Sequence, residues 1–365
     1  MVNIERPRTP RSGIADTTDL PQKSPHRYRG VVSKAAEIPV IDISGFDDRT
    51  NGATPDAIVG QVAAAAERFG FFQVVGHGIA PGVIEEVWAQ SRRFFSLARD
   101  DKRAVARTRD NARGYYDREL TKRARDLKEV FDFAHVPHPE LDDADPRNFA
   151  AVDGHNQWPE AIPEFRTIMR RYLAECETVA HRLLHAFALG LGLEPTFFDR
   201  HFDRDHTSFI RLNWYPLADP LDSEEATAVT SLGDMALHHH TDAGALTLLL
   251  QDDVGGLQVS HDGSWIDVDP LDGGLVVNTG DMMQVWSNDR YRAALHRVRP
   301  MRGVERGSIP YFFNPSYRTE YLPVVTGPES PPRYRPINWG AFRQGRADGD
   351  YADYGTEIQI DHFRV

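Results

Sequence analysis

The sequence predicts a mainly β protein with some α, built as a two-sheet jelly roll behind a helical front half. From about residue 208 onward, short β-branched and aromatic runs alternate with Gly, Asp, Asn and Pro. Before that point, the apolar residues recur mostly at helical spacing. Many short strands separated by turn signals are typical of a barrel or sandwich, and a jelly roll closes such a set into two sheets. A chain of 365 residues is long enough to bury the core that this fold requires.

The front half is predicted to begin with an extended arm and to continue as helices with two strands. Residues 1 to about 36 contain few large apolar side chains, which is typical of an arm rather than a folded unit. The longest helix is predicted over 169–191, because apolar residues recur there at three- and four-residue steps. The other predicted elements are strands at 38–42 and 71–75, a helix over 57–69 that ends at Gly70, and a helix near 83–97.

The back half is predicted to consist of strands. The segment 300–305 resembles a turn, so we expect the last strand to lie antiparallel beside the strand that begins at His296. No linker and no internal repeat separates the two halves, so we expect them to pack against each other. The predicted strands are 209–215, 246–250, 257–260, 265–268, 275–278, 296–299 and 308–314.

Composition restricts the partners. The formal net charge is −12 and the basic residues form no long runs, which argues against nucleic acid or an anionic membrane surface. The single cysteine, Cys176, excludes an intrachain disulfide and is predicted to be a small buried apolar side chain. No stretch approaches the ~20 apolar residues of a membrane span, and the start lacks a signal-peptide core. We therefore expect a soluble, cytoplasmic monomer whose partner is a small molecule.

A metal site is predicted from His240, Asp242 and His296. In an extended segment, residues i and i+2 share a face, so His240 and Asp242 would both point into the barrel. Two neutral imidazoles and one carboxylate occupy one face of an octahedron and leave three positions open, as in non-haem iron sites. A closed structural zinc site would require a fourth protein ligand.

Other histidines are weaker candidates. His238 shares a strand face with His240, but the carboxylate two residues downstream selects His240. The tripeptide His201-Phe202-Asp203 follows the long helix in a charged segment and is not expected to bind metal. His77 has no acidic or histidine neighbour at ligand spacing and is predicted to be structural.

A co-substrate pocket is predicted from Arg306 and Ser308. Their i, i+2 spacing directs both side chains to one side of a strand, where a guanidinium fork and a hydroxyl suit a carboxylate. The alternative for Arg306 alone is an exposed hairpin arginine, and the upstream metal motif favours the pocket. Asn213 and Tyr215 share another strand face that can hold the metal-side carboxylate of the co-substrate. Fe(II), one aspartate, a dianionic 2-oxo diacid and one arginine sum to neutral charge.

These residues resemble the non-haem Fe(II)/2-oxoglutarate-dependent dioxygenases of the isopenicillin N synthase-like superfamily, over nearly the whole chain from about residue 38. The motifs that carry the resemblance are IPVID (38–42), GFF (70–72), GHG (76–78), KEVFDF (128–133), RLNWYP (211–216), HTDAG (240–244), QDDVGGLQ (251–258), NTGD (278–281), HRV (296–298), RGS (306–308) and NP (314–315).

The resemblance implies a distorted double-stranded β-helix with an N-terminal helical region. It implies that His240, Asp242 and His296 carry iron, and that Arg306 and Ser308 hold the distal carboxylate of 2-oxoglutarate. Tyr215 and Asn213 would lie near the other end of that co-substrate. The implied reaction consumes O₂, with ascorbate as a candidate reductant, and yields succinate and CO₂. The small-molecule substrate would undergo hydroxylation, desaturation or oxidative cyclisation.

The resemblance also implies a division of the chain into an arm (1–36), a helical and β region (37–200), the catalytic core (201–325) and a C-terminal segment that covers the active site (326–365). One alternative is a same-fold Fe(II) oxidase that does not use 2-oxoglutarate, as in the isopenicillin N synthase and aminocyclopropane-carboxylate oxidase branches. A more remote alternative is a non-catalytic small-molecule binding protein. By family analogy, the candidate substrate contacts are Arg113, Tyr115, Phe131, Phe133, Phe313 and residues near Trp339 and Phe342.

Overall fold

The structure, a computed structural model, describes residues 37–46, 56–121, 124–148, 153–350 and 358–365, apart from the side chains of 56 and 347–350. The predicted arm, residues 1–36, lies outside the described residues. In chain order the strands are β1 (Val40–Asp42), β2 (Phe71–Val75), β3 (Gly114–Tyr116), β4 (Leu120–Thr121), β5 (Ala124–Arg125), β6 (Glu129–Ala134), β7 (Phe209–Tyr215), β8 (Leu237–His240), β9 (Leu246–Gln251), β10 (Leu257–His261), β11 (Ser264–Asp267), β12 (Leu275–Thr279), β13 (His296–Val298), β14 (Arg306–Phe313), β15 (Glu320–Tyr321) and β16 (Ile337–Asn338). The α-helices are α1 (Asp56–Arg68), α2 (Pro81–Phe95), α3 (Arg99–Arg103), α4 (Phe165–Gly190), α5 (Ser223–Thr227), α6 (Asp281–Trp286) and α7 (Trp339–Asp350), and 3₁₀ helices lie at Pro146–Asn148, Asp199–His201 and Ile360–Phe363.

Two sheets pack together at the centre of the fold. The large sheet has the strand order β1-β2-β12-β9-β14-β7-β6-β3, and the small sheet has the order β11-β10-β13-β8. Strands β1 and β2 are parallel, and β2 is antiparallel to β12. An apolar cluster joins the sheets and includes Leu249 and Val276 from the large one and Leu257 and Val259 from the small one. This arrangement is the jelly roll that the sequence predicted.

Strand alternation gives the large sheet two different sides. On β14, Ile309, Tyr311 and Phe313 belong to the main apolar core, whereas Ser308 and Phe312 line a cavity between the sheets. Strands β7 and β9 alternate in the same way. The side chains of one strand therefore serve two environments, and a shift of one residue in register would exchange them.

Helices α1 and α4 cover the outer side of the large sheet. Helix α4 contacts α1, α2, β9 and β14. Its buried stripe includes Met169, Tyr172 and Cys176, each fully buried, so the predicted core helix and the buried cysteine are both confirmed. Each fully buried large apolar side chain contributes roughly 1.5–3 kcal/mol to folding. Within the described part of the chain, no helix is both long enough and apolar enough to cross a bilayer.

One pairing predicted from the sequence is wrong. Strand β13, which begins at His296, pairs with β10 and β8 in the small sheet, whereas β14 pairs with β7 and β9 in the large one. The segment 299–305 therefore crosses between the sheets and does not fold a hairpin. A short polar connection with Gly and Pro is typical both of a hairpin turn and of a crossover between two sheets. Its sequence therefore does not show which sheet the next strand joins.

The sequence analysis did not identify β3 to β6 as strands, and it did not assign α7. Strand β6 contains Glu129 and Asp132, which are buried but paired with Lys102 and Arg211. Charged residues at such positions are typical of loops, and only their partners on other elements permit burial. The division of the chain into 37–200, 201–325 and 326–365 stays a prediction.

Candidate metal centre and co-substrate cavity

A cavity lies between the two sheets. Residues of both sheets line it, and so do residues from the first turns of α7. It brings together every side chain that the sequence predicted for the metal and the co-substrate. These residues are His240, Asp242, His296, Arg306, Ser308, Asn213 and Tyr215.

The three predicted metal ligands converge from the small sheet and the loop that leaves it. His240 ends β8 and is the direct cross-strand partner of His296, the first residue of β13, with 4.4 Å between the ring centroids. The strand ends at His240, so Asp242 lies in the following loop. The sequence analysis had expected it on the same strand as His240. Its Oδ1 nevertheless lies 3.7 Å from Nε2 of each histidine. The potential ligand atoms of all three residues are within 4.8 Å of one another.

Backbone carbonyls orient both imidazoles. Nδ1 of His240 donates to the carbonyl of His238, and Nδ1 of His296 donates to the carbonyl of Ala294, each at 2.9 Å. A carbonyl oxygen only accepts, so each Nδ1 carries the hydrogen and each Nε2 directs its lone pair toward Asp242. Such second contacts fix the tautomer and ring orientation of metal-binding histidines.

The carboxylate of Asp242 is held in a similar way. Its Oδ2 accepts hydrogen bonds from the Thr247 hydroxyl at 2.5 Å and from the Asn278 amide at 2.8 Å. Both donors lie on the large sheet, on β9 and β12. Oδ1 is thereby turned toward the two imidazoles. The loop residue is fixed by contacts across the cavity rather than by strand geometry.

The electrostatics of the cluster favour the ligand forms of its members. Burial lowers the pKa of His240, and the neighbouring His296 lowers it further. Burial alone would raise the pKa of Asp242, but its surroundings, which include the hydrogen bonds donated by Thr247 and Asn278, bring it below its ordinary value. Neutral imidazole and ionised carboxylate are the forms that bind metal. The donor set therefore fits a divalent first-row ion with open positions.

Arg306 is a buried cation without a carboxylate partner among the described residues. It is 1 % exposed, and its Nη2 donates to Oε1 of Gln251 at 3.3 Å. Within the described part of the chain, its Nε and Nη1 have no hydrogen-bond partner. Its guanidinium lies 5.0 Å from the ring centroid of Tyr215, the residue opposite it on β7. A buried charge with unused donors is costly, so this environment fits an anionic ligand.

Ser308 and Asn213 form the neighbouring cross-strand pair on β14 and β7. The Asn213 amide donates to the Ser308 hydroxyl at 3.4 Å, and Oδ1 of Asn213 has no partner among the described residues. Both residues are nearly fully buried. A second set of polar atoms is therefore available on the same wall as Arg306.

The weaker histidine candidates have other roles. His77 accepts from the backbone N–H of Ile79 and donates through Nε2 to the carbonyl of Gly273, each at 3.1 Å, so it is structural. His238 contacts Asp126 at 2.8 Å and takes no part in the metal cluster. Asp203, of the tripeptide His201-Phe202-Asp203, pairs with Arg318.

Most of the suggested substrate contacts are elsewhere. Of the suggested positions, Trp339 lines the cavity and so does Arg343, which follows Phe342, while Arg113 pairs with Asp153 at 3.1 Å. The physical reason is strand alternation: Phe313 lies one position out of phase with Phe312, which does line the cavity. The others that belong to the main apolar core are Tyr115, Phe131, Phe133 and Phe342.

Several charged lining residues were not identified as contacts from the sequence. Lys128 and Arg211 each contact Glu119, at 2.7 and 2.8 Å, and all three line the cavity. Arg343 and Arg346 of α7 do so as well. Lys128 and Arg211 open two of the motifs noted above. For Arg211 a usable signal was its alternation with Leu212, Asn213 and Trp214, whereas the run around Lys128 does not alternate.

Comparisons with known proteins cover most of the chain. The model of the 2OG-Fe(II) oxygenase superfamily matches residues 206–315, and that of the non-haem dioxygenase in morphine synthesis N-terminal region matches residues 38–161. The 2-oxoglutarate-Fe(II) type oxidoreductase hxnY of Emericella nidulans is 35% identical over 335 residues, which cover 85% of this chain and 91% of that protein. Homoarginine-6-hydroxylase 2-ODD-C23 of Glycine max is 34% identical over 303 residues, with 80% and 89% covered. A full-length Neurospora crassa protein, crystallised with alpha-KG and thymine, is similar with a TM-score of 0.71 and 28% identity, covering 88% of this chain and 99% of that one.

Proposed function

This chain belongs to the 2OG-Fe(II) oxygenase superfamily, and we propose that His240, Asp242 and His296 are the residues that hold its iron. The protein is an Fe(II)- and 2-oxoglutarate-dependent dioxygenase that acts on a small molecule, so the reaction class and the cofactors predicted from the sequence are confirmed. The observation that carries the ligand assignment is the convergence of two Nε2 lone pairs on Oδ1 of Asp242, each at 3.7 Å.

The protein's own residues contribute positioning and charge. When bound, iron and 2-oxoglutarate supply O₂ activation and oxidation of the substrate, with succinate and CO₂ as co-products. His240 and His296 present neutral nitrogen donors because backbone carbonyls hold their Nδ1 hydrogens. Thr247 and Asn278 orient Asp242 so that one oxygen stays directed at the histidines. These contacts hold the donor atoms of all three side chains in place.

The co-substrate lies along the β7–β14 wall in this proposal. Arg306 and Ser308 bind the distal carboxylate of 2-oxoglutarate, because the unused Nε and Nη1 of Arg306 supply two donors for it. Asn213 faces the co-substrate beside Ser308. The contact between Tyr215 and Arg306 favours a position for Tyr215 at the distal end, whereas the resemblance alone had suggested the metal end.

The remaining lining residues point to the substrate. Arg211, Arg343 and Arg346 line the cavity, where Arg211 pairs with Glu119 and Asp132 and Arg346 donates to the carbonyl of Thr241. These groups make that part of the wall polar, so the proposed substrate is a small polar molecule. The similar Neurospora crassa protein was crystallised with thymine, a molecule of that kind. A screen scored by 2-oxoglutarate-dependent succinate release, with products identified by mass spectrometry, tests this, and preferential turnover of pure hydrocarbons would contradict it.

The C-terminal segment covers the site in this proposal. Trp339 donates through Nε1 to the Thr207 hydroxyl at 2.9 Å, and Arg346 donates to the carbonyl of Thr241 at 2.9 Å. Thr241 lies between two proposed iron ligands, so α7 is tied directly to the metal loop. The monomeric state, the cytoplasmic location and the absence of nucleic acid or membrane partners stay predictions.

The ligand assignment is tested by titrating 2-oxoglutarate into the anaerobic Fe(II) protein. A charge-transfer band in the visible region is expected for the wild-type protein and is expected to be lost in His296→Ala. Asp203→Ala is the matched control, because it removes the carboxylate of the other His-x-Asp tripeptide and leaves the cavity unchanged. An unchanged band and unchanged iron affinity in His296→Ala would contradict the assignment.

A further inference from the structure

One of the histidines outside the metal cluster is tied to a fully buried carboxylate. Asp126, directly after β5, is 0% exposed, and its Oδ1 lies 2.8 Å from Nδ1 of His238. The same oxygen accepts from the backbone N–H of His238 at 3.3 Å. The carbonyl of His238 in turn accepts from Nδ1 of His240 at 2.9 Å. Neither Asp126 nor His238 lines the cavity, so contacts with substrate or co-substrate do not account for this arrangement.

The other oxygen of Asp126 faces the residues of the cavity wall. Its Oδ2 accepts from the Thr121 hydroxyl at 2.7 Å and lies 3.3 Å from Nζ of Lys128. Thr121 and Lys128 both line the cavity. A carboxylate that is removed from water needs donors of this kind. The two oxygens of Asp126 are therefore divided between the cavity wall and the strand that carries a proposed iron ligand.

Strand β8 is weakly fixed by its own sheet at His238. It is an edge strand of the small sheet, beside β13. Its ladder pairs His240 with His296 and Leu237 with Val298, and the register shifts between these pairs because β8 has one more residue there. Such a bulge leaves one residue of the strand without a ladder partner. Asp126 supplies an acceptor at this point, so the path of β8, and the carbonyl that orients His240, depend on it.

The imidazole of His238 has a defined place between Asp126 and a neighbouring loop. A Cβ atom added at Gly233 would lie 2.2 Å from Cε1 of His238, so the ring packs directly on the backbone of Gly233. The N–H of Gly233 donates to the carbonyl of Arg125 at 2.8 Å, which ties this loop to β5. On the solvent side, Nε2 of His238 is 3.3 Å from Oδ1 of Asp234, whose side chain is 93% exposed. Exposed ion pairs contribute little, so the buried Asp126 is the main anchor of the ring.

We infer that Asp126 is a positioning residue for the oxygenase reaction, and that through His238 it sets the orientation of His240 at the metal. The inference rests on the proposed function, because it takes His240 as an iron ligand. Contacts behind the ligands of a metal fix ring orientation and influence metal affinity. Since Thr121 and Lys128 hold the second oxygen of Asp126, the cavity wall and the strand of His240 share one carboxylate.

The test is Co²⁺ binding by the metal-free, full-length protein, because the visible spectrum of bound Co²⁺ reports the geometry of its ligands. His238→Leu removes the ring that Asp126 holds and leaves Asp126 paired with Thr121 and Lys128. Its affinity for Co²⁺ is expected to fall roughly 10-fold, with a changed spectrum, which is the lower end of the effect of such contacts. His238→Asn should recover most of the affinity, since its amide can donate in place of Nδ1.

A double variant tests whether the two residues act as one unit. Asp126→Leu should weaken Co²⁺ binding at least as much as His238→Leu does. Asp126→Leu combined with His238→Leu should bind Co²⁺ no more weakly than Asp126→Leu alone, because the second change removes a ring that is no longer held. A double variant that is much weaker than Asp126→Leu would overturn the inference.

Asp234→Ala is the matched control. It removes the exposed carboxylate on the other side of the same ring and should leave the affinity and spectrum of Co²⁺ at their wild-type values. His296→Ala tests the premise and should abolish Co²⁺ binding, and wild-type binding by His296→Ala would overturn the iron assignment itself. If His296→Ala fails to bind and His238→Leu keeps the wild-type affinity and spectrum, only the role of Asp126 is overturned. Melting of the metal-free variants shows which are folded, and if Asp126→Leu is not, His238→Leu and His238→Asn decide the inference.

Discussion

The two sides of the large sheet use the same strands for opposite purposes. On the helix side, Ile309 and Leu248 are buried in a continuous apolar core against α4. On the cavity side, Arg306 and Asn213 are equally buried but retain polar atoms without partners in the described part of the chain. Apolar burial stabilises the fold, whereas unpaired buried polar atoms cost stability until a ligand binds them.

Alternate residues of one strand therefore have different roles. Those that face the helices stabilise the fold, and those that face the cavity bind ligands. A residue on one side of β14 contributes to the free energy of unfolding, and its immediate neighbour contributes to the affinity for a ligand. Substitutions on the two sides should therefore change different measurements. Four variants test this separation, in order of decreasing expected effect.

Asp242→Ala should have the largest effect, and it lies on the cavity side. Removal of the only carboxylate in the proposed iron set should abolish iron retention and reduce 2-oxoglutarate-dependent succinate release to background. The melting temperature of the metal-free protein should fall only modestly, because Thr247 and Asn278 lose the acceptor that the carboxylate supplied but the apolar core is untouched. Iron content after desalting and calorimetric melting measure both. If Asp242→Ala were strongly destabilised but still retained iron, the assignment of the cavity side to ligand binding would be wrong.

Ile309→Ala tests the helix side at the next level of effect. Loss of this fully buried side chain should lower the free energy of unfolding by about 2–5 kcal/mol, because it leaves a cavity in the core. Urea denaturation measures the change, and the KM for 2-oxoglutarate of the folded enzyme should stay at the wild-type value. Ile309→Val is the conservative control, with an expected cost of about 0.5–1.5 kcal/mol.

Arg306→Ala tests the cavity side of the same strand. Loss of a buried charged partner costs about 2–5 kcal/mol of binding, so the KM for 2-oxoglutarate should rise roughly 100-fold. The stability of the ligand-free protein should be unchanged or higher, since Arg306 is a buried cation with unused donors. Arg306→Lys should recover part of the affinity, because it restores the charge without the planar fork. A KM within twofold of the wild-type value in Arg306→Ala would remove Arg306 from the co-substrate site.

Ser308→Ala should show the smallest effect. A hydrogen bond from a hydroxyl to a carboxylate contributes about 1.5–3 kcal/mol, so the KM for 2-oxoglutarate should rise roughly 10-fold or somewhat more. Steady-state succinate assays over a range of 2-oxoglutarate concentrations measure it. Ser308→Thr keeps the hydroxyl and serves as the control. A larger effect in Ser308→Ala than in Arg306→Ala would reverse the assigned order of the two residues.

Much of the site could be predicted because its signals are local. The i, i+2 spacings of His240 with Asp242 and of Arg306 with Ser308 are visible in the sequence, and all four side chains line one cavity. The apolar stripe of α4 was equally clear. The substrate-side residues were harder to predict, because Phe313 and Phe312 differ only in the side of the strand that they occupy.

The sequence by itself determined which residue types can bind iron and a carboxylate, and it determined the positions of most strands. Local spacing and alternation encode both, since they depend on backbone geometry within a few residues. Only the tertiary structure decided that His296 lies opposite His240, that β13 and β14 belong to different sheets, and that Asp126 contacts His238. Those contacts join residues far apart along the chain, and the packing of whole sheets and helices determines which of them form.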